Sequence, residues 1–323
     1  MIDMKKLTRK EFIDLSLINA MAIPFIMPAA WGKVIPGTLN AGEYSTKTYA
    51  DGIGFQVFAF RDALLKDAGS LFKSFAGAGI KSIEFFNPAK LNEYVPIVKD
   101  NGMNPLCTHF MPGYITGNWT MARKMNMAPP DNYYFENVIA DCVRNGVKYM
   151  GNAILLDEDR PTLDDYKRFA DKFNKCGEQC KKAGVQLYYH NHSFEFQPMN
   201  GTTPYEEMLK IFDKSLIKIE IDVFWLTVAG LNPVSWIEKL ADWLLFLHMK
   251  DLKKGSKIGV YNFGIPEDSY VELGTGMLDY KAILTEARKA GIEYAIIDQD
   301  STQMEDKIAS VRQNCEYIKS LGI

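Results

Sequence analysis

Cysteine is scarce in this chain. Its five cysteines, Cys107, Cys142, Cys176, Cys180 and Cys315, are spread over 323 residues and form no Cys-x-x-Cys pair. That argues against a disulfide scaffold and against a structural zinc module of paired thiolates. Cys176 and Cys180 fall on one helix face, where an intrahelical bridge is the weaker reading. Basic residues are not in excess: 37 Lys and Arg stand against 40 Asp and Glu, a formal net charge of −3. With no basic stripe, nucleic acid is not an expected partner. Beyond residue 36 no apolar run is long enough to cross a bilayer, so no membrane span is expected in a mature form. No sequence repeat of about 20–50 residues is evident either.

What is present is an ordinary globular composition, 47% hydrophobic and 24% charged, on a chain long enough for a large core. Histidine is rare, with only four in the chain, and two of them lie within Val185 to Phe196. That stretch begins as a β-branched and aromatic strand and ends in His190, His192 and Glu195. Residues two apart point the same way from a strand, so the two imidazoles can face one cavity.

The N-terminus has the layout of an export signal. Lys5, Lys6, Arg9 and Lys10 precede an apolar stretch from Leu15 to Trp31. Thr8 to Ile13 resembles a twin-arginine signal with Lys10 in place of the second arginine; a general secretory signal is the alternative. Pro24 and Pro28 disfavour a spanning helix. The expected organisation is a signal over residues 1–36, a Gly/Pro/Asn/Ser-rich linker over 37–48 and a folded domain over 49–323. An exported, periplasmic protein follows; a cytoplasmic protein with a packed N-terminal helix is the alternative.

From Gly54 onward strand and helix patterns alternate. Strands are expected at Gly54–Ala59, Ile80–Phe86, Met103–His109, Val147–Gly151, from Val185, at Ile217–Asp222, Trp243–His248 and Glu293–Asp298. Helices are expected at Asp62–Ala78, Ala89–Asn101, Asn137–Asn145, Thr162–Ala183, Pro204–Phe212, Pro233–Leu240, Asp279–Ala290 and Gln303–Leu321. Glycines such as Gly79 and Gly184 close helices. Eight alternating units predict an α/β fold, a single-domain (β/α)8 TIM barrel; a doubly wound sheet is the alternative. Two connections are long, Met111–Asn132 and Lys253–Gly276. The first, rich in methionine, reads as a lid or binding loop.

The chemistry collects at one end of this barrel. His109, His190, His192, Asp222, His248 and Asp298 all fall at or just beyond predicted strand C-termini, the face where barrels of this kind build active sites. Mixed histidine and carboxylate donors from neighbouring strands suit a divalent ion: Mn, Co, Zn or Mg. Such an ion is a Lewis acid toward a carbonyl or hydroxyl oxygen. His192 is a candidate acid/base, Glu195 a further carboxylate ligand or base, and Lys250 a cation to steady an oxyanion. His109, Gln56, Glu84, Trp225 and Gln299 complete the candidate set as substrate contacts. Gly274-Thr275-Gly276 before a helix is either a phosphate cradle or a plain entry turn.

These residues carry a resemblance. Tyr189-His190-Asn191-His192 with Phe194-Glu195-Phe196, Glu220 to Trp225, Ala229 to Pro233 and Leu247 to Asp251 are similar to the xylose-isomerase-like TIM barrels called sugar phosphate isomerases/epimerases, over about Gly54 to Ile323. In that family four strand-end residues, often Glu, Asp, His and Glu, hold a metal. The resemblance implies Asp222 and His248 at two of these places, and His190 and Asp298 where the glutamates usually stand. Both glutamates shuttle protons in the epimerases, so a symmetric two-glutamate epimerisation is not implied here. His192 matches a position that contacts a substrate oxygen in related dehydratase-like barrels. The metal ligands and basic groove of the endonuclease branch are not found.

The resulting expectation is a metal-dependent carbohydrate isomerase or epimerase working through an enediolate. The alternatives are a lyase or dehydratase on keto-sugars, including 3-keto-glycoside cleavage, and a non-catalytic sugar-binding barrel. The expected partner is a small-molecule carbohydrate, and a homo-oligomer is left open.

Overall fold

The β-branched and aromatic runs become strands, as the alternation predicts. The structure, a computed structural model, describes residues 48–323; the expected signal and all of the linker except Thr48 lie outside the described residues. The barrel strands are β1 Gly54–Gln56, β2 Ser82–Phe85, β3 Asn104–Phe110, β4 Tyr149–Asn152, β5 Gln186–His190, β6 Ile217–Asp222, β7 Leu244–Met249 and β10 Tyr294–Ile297. All pair in parallel and close in the order β1-β10-β7-β6-β5-β4-β3-β2. Every residue of β2 is buried, which is why such strands read as runs rather than alternations. Two further strands, β8 Asp251–Leu252 and β9 Tyr270–Val271, form a small antiparallel pair inside the second long connection.

The helices close each crossover by burying one stripe. In Leu163–Lys182 the buried set Tyr166, Phe169, Ala170, Phe173, Gly177 and Cys180 follows helical spacing, and Thr162 caps the start by accepting from Asp165 N–H. The expected helix ends hold within a few residues, apart from the last helix. It runs Lys307–Leu321 because Asp306, not a residue near Gln303, supplies the cap. Three short helices were not expected. Gly113–Thr116 and Thr120–Lys124 lie in the methionine-rich connection. Val223–Val228 follows β6; its Val-Phe-Trp-Leu-Thr-Val run has no polar face to reveal a helix, and Asp222 caps it. All five cysteines are free. No helix among the described residues is long and apolar enough to cross a membrane.

Inward-facing side chains stack in layers two residues apart along each strand. Cys107, Tyr188, Phe246 and Ile296 belong to one buried cluster. Two residues on, toward the C-terminal ends, stand His109, His190, His248 and Asp298. The β4 position between β3 and β5 is Gly151, paired with His109 on one side and Tyr188 on the other. A Cβ on Gly151 would lie 2.1 Å from Tyr188 Cε2, so only glycine admits that ring.

Candidate active site

The layer at the strand ends is polar and buried. His109 Nε2 lies 2.8 Å from Glu220 Oε2, and His248 Nε2 lies 2.6 Å from Glu84 Oε2. Tyr188 donates its hydroxyl to Glu84 Oε1 at 2.5 Å, and Cys107 Sγ approaches the same oxygen at 3.2 Å. Opposite each glutamate the neighbouring strand carries one extra residue, Leu106 in β3 beside the Ile83–Glu84 step and Leu245 in β7 beside the Ile219–Glu220 step. Such irregularities re-aim side chains, here into the barrel. Glu84 is held down to about 2: burial pushes it up, but the His109 and His248 imidazoles outweigh burial. Glu220 is pushed up to about 7 by burial and then by Glu84. Burial lowers His109 and His248, yet the two carboxylates beside them leave both raised.

Two donor sets share His248. One is His109, His190, Glu220 and His248; the other is Asp222, His248 and Asp298. His190 thus joins the glutamate side, with Nδ1 3.2 Å from Glu220 Oε2. The second set is built by local structure. Asp222 Oδ1 accepts from Trp225 N–H at 2.9 Å as a helix cap, and Asn191 Oδ1 accepts from Asp222 N–H at 3.0 Å. That leaves Asp222 Oδ2 buried without a hydrogen-bond partner, as is His248 Nδ1, which lies 3.4 Å from Asp298 Oδ2. Buried unpartnered donors of this kind fit a divalent cation. A cation of the chain's own sits close by. Lys250 Nζ lies 2.5 Å from Asp298 Oδ2, 2.8 Å from Asp300 Oδ2 and 3.3 Å from Asp222 Oδ2. Burial disfavours its charge, but Asp222, Asp298 and Asp300 outweigh burial and hold its pKa well above the usual value. Asp298 is lowered: burial raises it, and Lys250 more than reverses that. Asp222 is raised by burial, and Asp300 is pushed up to about 6 by burial and then by Asp298.

Above this layer is a cavity of about 310 Å³. Of the sequence-predicted residues, Gln56, His109, His190, His192, Trp225, Lys250 and Asp298 line it. The His192 ring is fixed by Phe194, stacked at 5.2 Å, and by Trp225 at 5.3 Å and Phe263 at 5.2 Å. Its backbone N–H donates to Glu195 Oε2 at 2.9 Å. His192 Nδ1 has no partner, and burial followed by the Lys250 charge depresses its pKa well below the usual value. His190 is lowered similarly, by burial and then His248. Trp225 Nε1 is a second unpartnered buried donor.

Other predicted residues lie outside the cavity lining. Glu84 belongs to the layer below. Glu195 accepts from Tyr189 Oη at 2.7 Å and from His192 N–H, and burial pushes it up to about 7. Gln299 spends its amide on Ser301 O and Asn314 Nδ2. The Gly274–Gly276 turn is filled by the chain itself: Asp251 Oδ2 accepts from Gly274 N–H at 2.9 Å and Gly276 N–H at 3.0 Å, so the entry-turn reading holds and the phosphate cradle does not. Two site carboxylates had not been singled out, Glu220 and Asp300. For Glu220 the signal was there, two residues before Asp222 on one strand face.

The sequence pattern of the xylose isomerase-like TIM barrels matches residues 74–321. The chain belongs to that family. It is 26% identical over 127 residues to an inosose dehydratase of Clostridium beijerinckii, a match covering 37% of this chain and 42% of that protein. The chain therefore spans less than half of that relative's length. Among solved structures, a sugar phosphate isomerase/epimerase from Parabacteroides distasonis superposes with a TM-score of 0.65 at 23% identity, covering 84% of this chain and 95% of that one. An IOLI protein with a bound zinc atom gives 0.60 at 15% identity, over 83% and 96%. A 3-keto-D-glucoside 4-epimerase from E. coli gives 0.58 at 16%, over 85% and 100%. At these identities the structures share the family's fold.

Proposed function

We propose that this family member is a divalent-metal-dependent enzyme of keto-sugars that removes the proton beside the carbonyl and expels the substituent on the next carbon. The observation that carries this is the His192 imidazole: its ring lines a cavity that Lys250 also lines, and its buried Nδ1 is not spent on any hydrogen bond among the described residues. His192 is the base. It accepts the proton from carbon, the carbon–carbon double bond forms, and the bond to the leaving oxygen breaks; that oxygen departs with a proton as an alcohol or water. Lys250 Nζ, which stays protonated among three carboxylates, donates to oxygen where negative charge develops. A divalent ion held by Asp222, His248 and Asp298, with His190 adjacent, would supply Lewis-acid polarisation of the carbonyl. Elimination is favoured over epimerisation because the carboxylates that line the cavity, Asp298 and Asp300, are both paired with Lys250, which leaves His192 without a carboxylate base opposite it. The inosose dehydratase among the relatives and the keto-glucoside epimerase among the structures agree with a keto-sugar substrate. An exported location, expected from the N-terminal segment, agrees with an unphosphorylated one.

The test uses methyl 3-keto-β-D-glucopyranoside and measures methanol release by protein stripped with EDTA, then reloaded with Mn²⁺, Co²⁺, Zn²⁺ or Mg²⁺. Activity is expected to return with at least one ion. His192→Ala is expected to keep the ion and lose about a hundredfold or more in turnover. Equal rates with and without metal, or wild-type turnover in the variant, contradict the reading.

A further inference from the structure

The cavity is divided by strand. Its β1–β4 side is apolar apart from Gln56 and His109: Phe58 follows β1, Phe86 follows β2, and Met111, Met121, Met125 and Met127 come from the chain between β3 and β4. Its β5–β10 side carries every charged residue of the lining, Lys250, Asp298 and Asp300, with His190 and His192, set among the rings of Trp225, Phe263 and Tyr270. The closed strand order keeps β1 to β4 contiguous, so the two linings occupy opposite halves of one mouth. Phe58, Met121, Met125 and Met127 are only half-buried by the protein itself, which leaves apolar surface turned to the cavity. A sugar ring alone would leave that surface wet.

Charge narrows the ligand further. Among the described residues no arginine lines the cavity, and the one lysine that does is already bracketed by Asp222, Asp298 and Asp300. Three aspartates exceed this lysine by two charges, which a bound divalent ion would only balance, so no surplus cation is left for a phosphate. Thioethers are soft and conform to aromatic faces and alkyl chains alike. At about 310 Å³ the cavity is at the small end of small-molecule sites, enough for a sugar and one modest substituent.

We propose that the methionine–phenylalanine half is an aglycone subsite, and that the substrate is an uncharged glycoside bearing an aryl or short alkyl group. This rests on the keto-sugar reading above for the sugar half. The leaving group of the elimination is then that apolar alcohol or phenol.

Binding of unoxidised glucosides, which lack the keto group and cannot eliminate, separates the two ideas. Dissociation constants for phenyl, hexyl and methyl β-D-glucopyranoside and for glucose 6-phosphate are measured by calorimetry on the metal-loaded protein. Phenyl and hexyl glucosides are expected to bind at least about tenfold tighter than methyl glucoside, and glucose 6-phosphate more weakly than any of them. Met125→Gln, and independently Met121→Gln, are expected to cut that preference to about twofold while circular dichroism stays native. Equal affinity for all glucosides, tighter binding of glucose 6-phosphate, or no measurable glucoside binding overturns the subsite. If the preference is found but phenyl 3-keto-glucoside is not cleaved, the subsite stands and the elimination fails.

Discussion

Glu195 is a buried carboxyl with no cation in hydrogen-bond contact, held by a tyrosine hydroxyl and the His192 N–H. It fixes the backbone at His192, so its protonation is linked to folding. Burial raises it from 4.5 to about 7 in the folded state. The folded protein therefore binds the extra proton more tightly than the unfolded chain does. The stabilisation is full below about pH 4.5 and lost as pH rises through about 7, at most about 3 kcal/mol. Glu195→Gln removes the titration, its amide oxygen accepting from His192 N–H and its Nε2 donating to the Tyr189 hydroxyl. Urea unfolding at pH 5 and pH 8 is expected to show a fall in wild-type stability that is smaller by roughly that amount in the variant. Parallel falls would mean that Glu195 is not the group responsible. Other raised carboxyls, Glu220 among them, act equally on both proteins and cancel in the comparison.

At the scale of elements, strand irregularity makes the polar layer. The extra residues Leu106 in β3 and Leu245 in β7 set the register of His109 and His248 against Glu84 and Glu220, and Gly151 clears space for the tyrosine that caps Glu84. Gly151→Ala is expected to cost about 1–3 kcal/mol by overpacking against Tyr188, read from denaturant midpoints. An unchanged midpoint would show that the ring can move freely. This level was only partly legible in the sequence. Period-two spacing and glycine stops located the strands and most helices. The spacing to Asp222 marks Glu220 in the sequence, whereas an extra residue in a neighbouring strand leaves no local signature, so Glu84 reads as a substrate contact. The helix Val223–Val228 hid for the opposite reason: buried all round, it has no polar stripe. The methionines of the long connection were legible as a lid or loop, but which cavity they would line depends on folding.

For the whole molecule, the alternation of strand and helix was enough to anticipate a closed barrel, because seven crossovers of one hand between eight strands leave few other arrangements. The same topology explains why His109, His190, His192, Asp222, His248 and Asp298, far apart in sequence, gather at one mouth. It did not disclose that His248 would serve two donor sets, with His190 on one and Asp222 and Asp298 on the other. If the Asp222–His248–Asp298 set holds the ion, His248→Ala is expected to lose stoichiometric metal by elemental analysis, while His192→Ala keeps it. Full metal content in His248→Ala would move the ion elsewhere. The central claim is proton removal beside a carbonyl followed by loss of the neighbouring substituent. It is tested most directly by proton NMR of a 3-keto-glucoside incubated with the metal-loaded protein in deuterated water. Loss of the signal from the proton next to the carbonyl is expected together with release of the free aglycone. A substrate spectrum that stays intact, or exchange with a new epimer and no released aglycone, would contradict it.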